Sequence, residues 1–247
     1  MKIEKIETWT VSKWLVVRVT TEDGTYGGGE GNFWSYADAT EVIAKRLSEE
    51  LKGVDSRNIE RIWNEIYRKF SFRSPALTSV ISAIDLALWD IKGKRLGVPV
   101  WDLLGGKYRD KVRAIVLLGG KYGPTRNADE FAIAAKKAKT DGYTALKMTP
   151  LPQNWSKLPY PELIRKSTEI VGAVRESVGW DFDIGIEIHR NMIPGEAIVF
   201  AKNIEKFLPY FYEDPIAPDS VQSMANIADR ITIPLAVGER NNTMWEF

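Results

Sequence analysis

The chain has 247 residues, 44% of them hydrophobic and 27% charged, with no cysteine and a single histidine, His189. That apolar mass excludes wholesale disorder, and the lack of thiols excludes disulfides, zinc–thiolate sites, iron–sulfur clusters and a cysteine nucleophile. Lys and Arg total 34 against 33 Asp and Glu, a net charge of +1, so no nucleic-acid partner is expected. No apolar run nears the ~18 residues of a membrane span, so no membrane partner is expected either.

The N-terminus opens directly into an alternating pattern with no signal peptide, so a cytoplasmic location is the expectation. Residues 1–111 read as one α+β domain. Strands are predicted over 2–11 and 14–20, then a turn at Asp23-Gly24 and the glycine-rich stretch 26–31. Gly27-Gly28-Gly29 lacks the Gly-Lys-Ser/Thr ending of a phosphate loop, so a flexible loop is expected there. Helices follow over 36–52, with Ala39, Val42, Ile43 and Leu47 in register, and over 55–70, with Asp55 as N-cap. A third runs from Pro75 to near Gly97, with Leu77, Val80, Ile81, Ile84, Leu88 and Ile91 on one face.

Residues 112–247 read as a second domain, in which strand and helix patterns alternate. Apolar runs at 112–118, 145–148, 183–188, 210–212 and 234–237 are separated by amphipathic stretches at 128–139, 162–178, 194–207 and 221–228. This is βα repetition and a parallel sheet, either an open doubly wound sheet or a (β/α) barrel. Leu118-Gly119-Gly120-Lys121 is not a dinucleotide-binding turn. A proline-rich loop is expected over 150–161, where connectors at strand ends often carry function.

Acidic residues punctuate the strand ends. Glu187, Glu213 and Glu239 follow three successive apolar runs at a constant interval of 26 residues. Equivalent strand ends of a barrel converge on one mouth. Three carboxylates there would repel unless neutralised, and a hard cation such as Mg²⁺ with oxygen ligands does this. Such an ion serves as a Lewis acid towards a substrate carboxylate or carbonyl. His189 lies two residues beyond Glu187, so it faces the same side if the strand continues, where it is a candidate general acid or base. Lys147, at the end of the second run, is a candidate partner for a substrate carboxylate, and Arg190 and Arg240 are candidate oxyanion ligands. No Gly-x-Ser-x-Gly elbow is present, so acyl-transfer hydrolysis finds no support.

These motifs together resemble the enolase superfamily, in its mandelate racemase subgroup, and within it the sugar-acid dehydratases of the galactonate dehydratase type. The matching stretches are 25–30, 83–93 (Ala-Ile-Asp-Leu-Ala-Leu-Trp-Asp-Ile-Lys-Gly) and 96–106 (Leu-Gly-Val-Pro-Val-Trp-Asp-Leu-Leu-Gly-Gly). In the second part they are Ala145-Leu146-Lys147, Glu187-Ile188-His189, Tyr212-Glu213-Asp214-Pro215 and Gly238-Glu239-Arg240. The resemblance implies a capping domain closing over a modified TIM-type (β/α)₇β barrel, here truncated after about the fifth strand. It implies Mg²⁺ on Glu187, Glu213 and Glu239, an enediolate formed by α-proton abstraction, and His189 as the acid that protonates the departing β-hydroxyl. The α-proton base is expected on later strands. Residue 187 is Glu where the family usually has Asp, and Lys147-Met148-Thr149 replaces the racemases' Lys-x-Lys, which argues against lysine-based racemisation.

The activity implied is Mg²⁺-dependent dehydration of an aldonic acid to a 2-keto-3-deoxy acid. Epimerisation through the same enediolate is the alternative within the enzyme class. A non-catalytic fragment or partner subunit completing a barrel is the alternative outside it. The expected partner is a small sugar acid, and a homo-oligomer is the expected assembly. Loops around 13–35 are expected to set specificity, with Trp14 and Trp34 touching substrate and Phe33, Trp155 and Trp245 shaping the pocket.

Overall fold

Alternating burial along short strands builds the first sheet. The computed structural model describes residues 1–34, 36–70 and 74–247, and the chain divides into two units, Met1–Asp110 and Lys111–Phe247. In the first, β1 (Ile3–Val11), β2 (Trp14–Thr21) and β3 (Tyr26–Gly31) form an antiparallel sheet in that order. Leu15, Val17 and Val19 of β2 are fully buried, whereas Trp14 and Val16 between and before them are not. Helices α1 (Ala37–Leu51) and α3 (Pro75–Leu96) pack on it, α2 (Ile59–Lys69) packs on α3, and a single turn, α4 (Val100–Leu103), follows.

Local signals set the ends of α3. Ser74 Oγ accepts a hydrogen bond from the Leu77 N–H at 3.3 Å, Pro75 opens the first turn, and Gly97 closes the helix at φ +70°. Asp55 does not cap α2 as expected. The helix begins at Ile59 after Asn58, and Asp55 instead accepts from the Arg57 guanidinium at 2.6–3.0 Å. That hydrogen bonding holds the Asp55 carboxyl well below the usual carboxylate range.

The glycine-rich stretch is a strand, not a flexible loop. A Cβ on Gly27 would lie 2.0 Å from the Ala87 carbonyl oxygen, and one on Gly29 would lie 1.9 Å from that of Ala83. On Gly31 it would lie 3.0 Å from the Ser79 oxygen. Residues 27, 29 and 31 share one strand face, while 79, 83 and 87 lie one above another along α3. The two backbones therefore meet along a seam that admits no side chain. Gly28 points the other way, and its N–H donates to Asp90 Oδ2 at 3.0 Å.

The second unit is a parallel sheet in the order β4-β5-β6-β7-β8, comprising Val116–Leu117, Ala145–Met148, Asp183–Glu187, Phe211–Glu213 and Leu235–Ala236. Each strand lies beside its predecessor with no reversal of order. This is the winding of a barrel and removes the doubly wound alternative. Helices α5 (Ala128–Thr140), α6 (Tyr160–Val178), α7 (Pro194–Ile204) and α8 (Val221–Ala228) alternate with the strands. The first strand is shorter than expected, since only Val116 and Leu117 pair with β5. The proline-rich connector carries a 3₁₀ turn at Trp155–Lys157, and Trp155 and Leu158 pack on the core of this unit. Arg175 is 4% exposed and donates to the carbonyls of Gly179, Phe182, Phe207 and Leu208, tying the chain after α6 to that after α7. Among the described residues no helix is long and apolar enough to cross a membrane.

The seam makes a stability prediction. Gly29→Ala is expected to cost about 3 kcal/mol, because backbone must move to admit the methyl group. Gly28→Ala, which meets nothing within 4 Å, is expected to stay within about 0.5 kcal/mol of the parent. Urea denaturation of both variants checks this, and equal stability would refute the close approach of β3 to α3.

Candidate metal centre

Parallel register brings the first charged cluster together. Glu187 on β6 lies directly opposite Glu213 on β7, and Lys147 on β5 lies opposite Gly185, two residues before Glu187 on the same face. A Cβ on Gly185 would sit 2.3 Å from Phe211 Cζ, so the missing side chain makes room for that ring. Phe211 thus fills the layer beneath the two carboxylates. The Lys147 stem rises from this layer, and Nζ donates to Glu187 Oε2 at 3.1 Å and to Glu213 Oε1 and Oε2 at 3.0 and 2.9 Å. Burial on its own would lower the lysine's titration, but the hydrogen bonds to Glu213 and Glu187 outweigh it and hold it above the ordinary lysine value. The ammonium is therefore charged at neutral pH. Lys147 here neutralises protein carboxylates, where the sequence suggested a substrate carboxylate.

β6 stops at Glu187, so His189 is not reached by strand alternation. His189 and Arg190 have φ of +54° and +67°, left-handed conformations that are uncommon without glycine and recur at functional sites. The His189 N–H donates to Glu187 Oε1 at 2.9 Å, fixing that carboxylate, while the His189 residue itself is exposed.

A second cluster lies beyond the strand ends. Arg190 donates from Nη1 to Asp214 Oδ2 at 2.8 Å and also to Glu239, and its backbone N–H donates to the Asp214 carbonyl at 2.7 Å. Burial pushes the Asp214 carboxyl up, with the Glu239 and Glu213 charges adding to it and the Arg190 guanidinium opposing. Asp214, quoted in the motif but given no role, is the site residue that sequence reasoning missed. Its signal was the acidic pair Glu213-Asp214 directly after an apolar run.

The structure does not gather the three glutamates into one group. The register partner of Glu213 on β8 is Ala236, so Glu239 lies three residues past the equivalent height, after a turn at Gly238 with φ +124°. Its side chain is 45% exposed and held by Arg190. Among the described residues no three acidic or histidine side chains are arranged to hold a metal ion. The structure brings together Glu187 and Glu213 with Lys147, and Glu239 with Arg190 and Asp214. Arg190 thus binds protein carboxylates where an oxyanion of a substrate was expected. Arg240 is exposed and makes no ion pair among the described residues. Trp14 and Trp34, in the first unit, flank Lys13, whose Nζ lies 5.3 and 4.3 Å from their ring centroids. Ser35, at the end of the 13–35 stretch, lies outside the described residues.

The donor set suits a hard cation. Four carboxylates face two cationic heads across the two clusters, leaving two negative charges in excess, and all the side-chain acceptors are oxygens.

Comparison with known proteins agrees with the fold. Residues 4–105 match the family described as mandelate racemase / muconate lactonizing enzyme, N-terminal domain, and residues 130–247 match the enolase C-terminal domain-like family. A member of the enolase superfamily from Salmonella Typhimurium superposes with a TM-score of 0.91 at 32% identity, covering 99% of this chain and 69% of that one. The chain belongs to the enolase superfamily. Among its superfamily relatives, D-galactonate dehydratase from Klebsiella pneumoniae (strain 342) is 32% identical over 249 residues. The match covers 100% of this chain and 64% of that relative, so the chain spans under two thirds of the relative's length. An enolase from Agrobacterium radiobacter, solved bound to Na and L-malate, superposes with a TM-score of 0.85 at 26% identity, covering 98% of this chain and 62% of that one.

Arg190 is the cation between two carboxylates, one of them buried with it: side-chain exposures are 12% for Arg190 and 9% for Asp214. Arg190→Met is expected to lower stability by about 3 kcal/mol, since it leaves Asp214 buried without a partner. In the Arg190→Met/Asp214→Asn double variant part of that loss is expected to return. Chemical denaturation of these two variants and of the Asp214→Asn single variant measures it, and strictly additive losses would contradict the pairing.

Proposed function

We propose that this protein is a Mg²⁺-dependent sugar-acid dehydratase, with Glu187 and Glu213 as the facing carboxylates of the ion and Glu239, now on Arg190, as a third. The observation that carries the reading is the register pairing of Glu187 with Glu213 beside an excess of two negative charges. The D-galactonate dehydratase relatives, and the relative bound to Na and the dicarboxylate L-malate, support a cation and a hydroxy acid as its ligands. Mg²⁺ bound there would act as a Lewis acid on the substrate carboxylate.

The chain's own residues divide the remaining work. The His189 N–H keeps Glu187 aimed, so the metal carboxylate and the proton donor are positioned by one turn. The exposed imidazole would deliver its proton to the departing β-hydroxyl, which leaves as water, while the α-proton would go to the base expected on later strands. Arg240 offers an unengaged guanidinium fork for an oxygen of the sugar acid. Lys147-Met148-Thr149 stands where the racemases carry Lys-x-Lys, which favours dehydration over lysine-based racemisation.

The test is turnover of a panel of aldonic acids, D-galactonate among them, by a form of the protein that includes the later strands on which the α-proton base is expected, followed by formation of the 2-keto-3-deoxy acid. Activity is expected to vanish on chelation and return with Mg²⁺, and His189→Asn is expected to lose about 100-fold or more. Turnover that survives complete removal of divalent cations would overturn the metal role, and exchange of the α-hydrogen with solvent deuterium without loss of water would indicate epimerisation instead.

A further inference from the structure

Lys147 draws on the oxygens assigned above to the divalent cation. Its ammonium engages Oε2 of Glu187 and both oxygens of Glu213, all within 3.1 Å. An ion held by the same pair cannot share those oxygens with the ammonium at its present position, because positive charges a few ångströms apart in a half-buried setting repel strongly. One of the two has to yield.

The local structure shows which can. Lys147 is rooted one layer below the carboxylates, opposite Gly185, and its four-carbon stem turns its head without moving β5. The side chain is 26% exposed, so the head has a path to water. Glu187 does not depend on the ammonium for its aim, since Oε1 is held independently by the His189 N–H at 2.9 Å. The carboxylate pair therefore keeps one fixed member when the ammonium leaves, and the register opposite β7 sets the other.

We propose that Lys147 is a displaceable counter-ion: its ammonium neutralises Glu187 and Glu213 and is pushed off by the divalent cation, so that Lys147 sets the affinity of the site. The inference rests on the metal reading of these two glutamates. Lys147 acts here through the carboxylates and is a positioning residue. A lysine that merely braces the strands would stay in place when the cation binds and would raise its affinity or leave it unchanged.

Two activity-free measurements separate these roles. Calorimetric titration with Mn²⁺ is expected to show Lys147→Met binding at least tenfold tighter than the parent, with Lys147→Arg returning to the weaker parental affinity. In the unaltered protein, acetylation of Lys147 by acetic anhydride, read by mass spectrometry, is expected to quicken several-fold when Mn²⁺ is added, because the released amine reaches solvent. Equal or weaker binding by Lys147→Met, or labelling unchanged by a bound ion, overturns the displacement and leaves the metal reading intact. Absence of Mn²⁺ binding by every one of these proteins overturns the metal reading, and the proposal with it.

Discussion

Two carboxylates placed directly opposite each other on neighbouring parallel strands, about 4.8 Å apart, repel. Glu187 and Glu213 are so placed, and the sheet tolerates them because an ammonium from the next strand reaches both. Everything else at this end of the second unit follows from that relief of charge. Gly185 leaves room for the Phe211 ring beneath the pair, the lysine stem climbs past that layer, and a backbone N–H takes the outer oxygen of Glu187.

The same solution recurs past the strand ends with different parts. Arg190 bridges Asp214 and Glu239, and its planar fork suits two acceptors better than a lysine would. Reaching them puts His189, Arg190 and Asp214 into left-handed backbone. Residues with Cβ atoms adopt that region at a cost of about 1–3 kcal/mol each. The turn that carries the cost also anchors Glu187 through the His189 N–H and presents the His189 side chain to solvent. Each of the two charge clusters retains one negative charge.

Much of this was legible in the residues, and the exceptions share a cause. Strand and helix positions followed hydrophobic period, and the ends of α3 followed Ser74, Pro75 and Gly97. The sites that resisted were those where counting residues stood in for register. The interval of 26 is the true register step from Glu187 to Glu213, but the step from Glu213 leads to Ala236, and so Glu239 overshoots. Alternation carried His189 onto the Glu187 face only by extending a strand that ends at Glu187. The triple glycine was read from its local freedom, when its meaning lay in a helix some fifty residues downstream whose Ala83 and Ala87 carbonyls it must approach. Long-range pairing of that kind leaves no mark in a window of sequence, although glycines spaced by two opposite small residues spaced by four are its trace.

The central claim is that Glu187 and Glu213 share one divalent cation in competition with Lys147. Anomalous diffraction from crystals of the protein grown with Mn²⁺ tests it most directly. A peak bonded to oxygens of both glutamates, with Lys147 Nζ withdrawn from them, is expected. A peak elsewhere, no peak at this pair, or an ion bound while Nζ still donates to both carboxylates would contradict it.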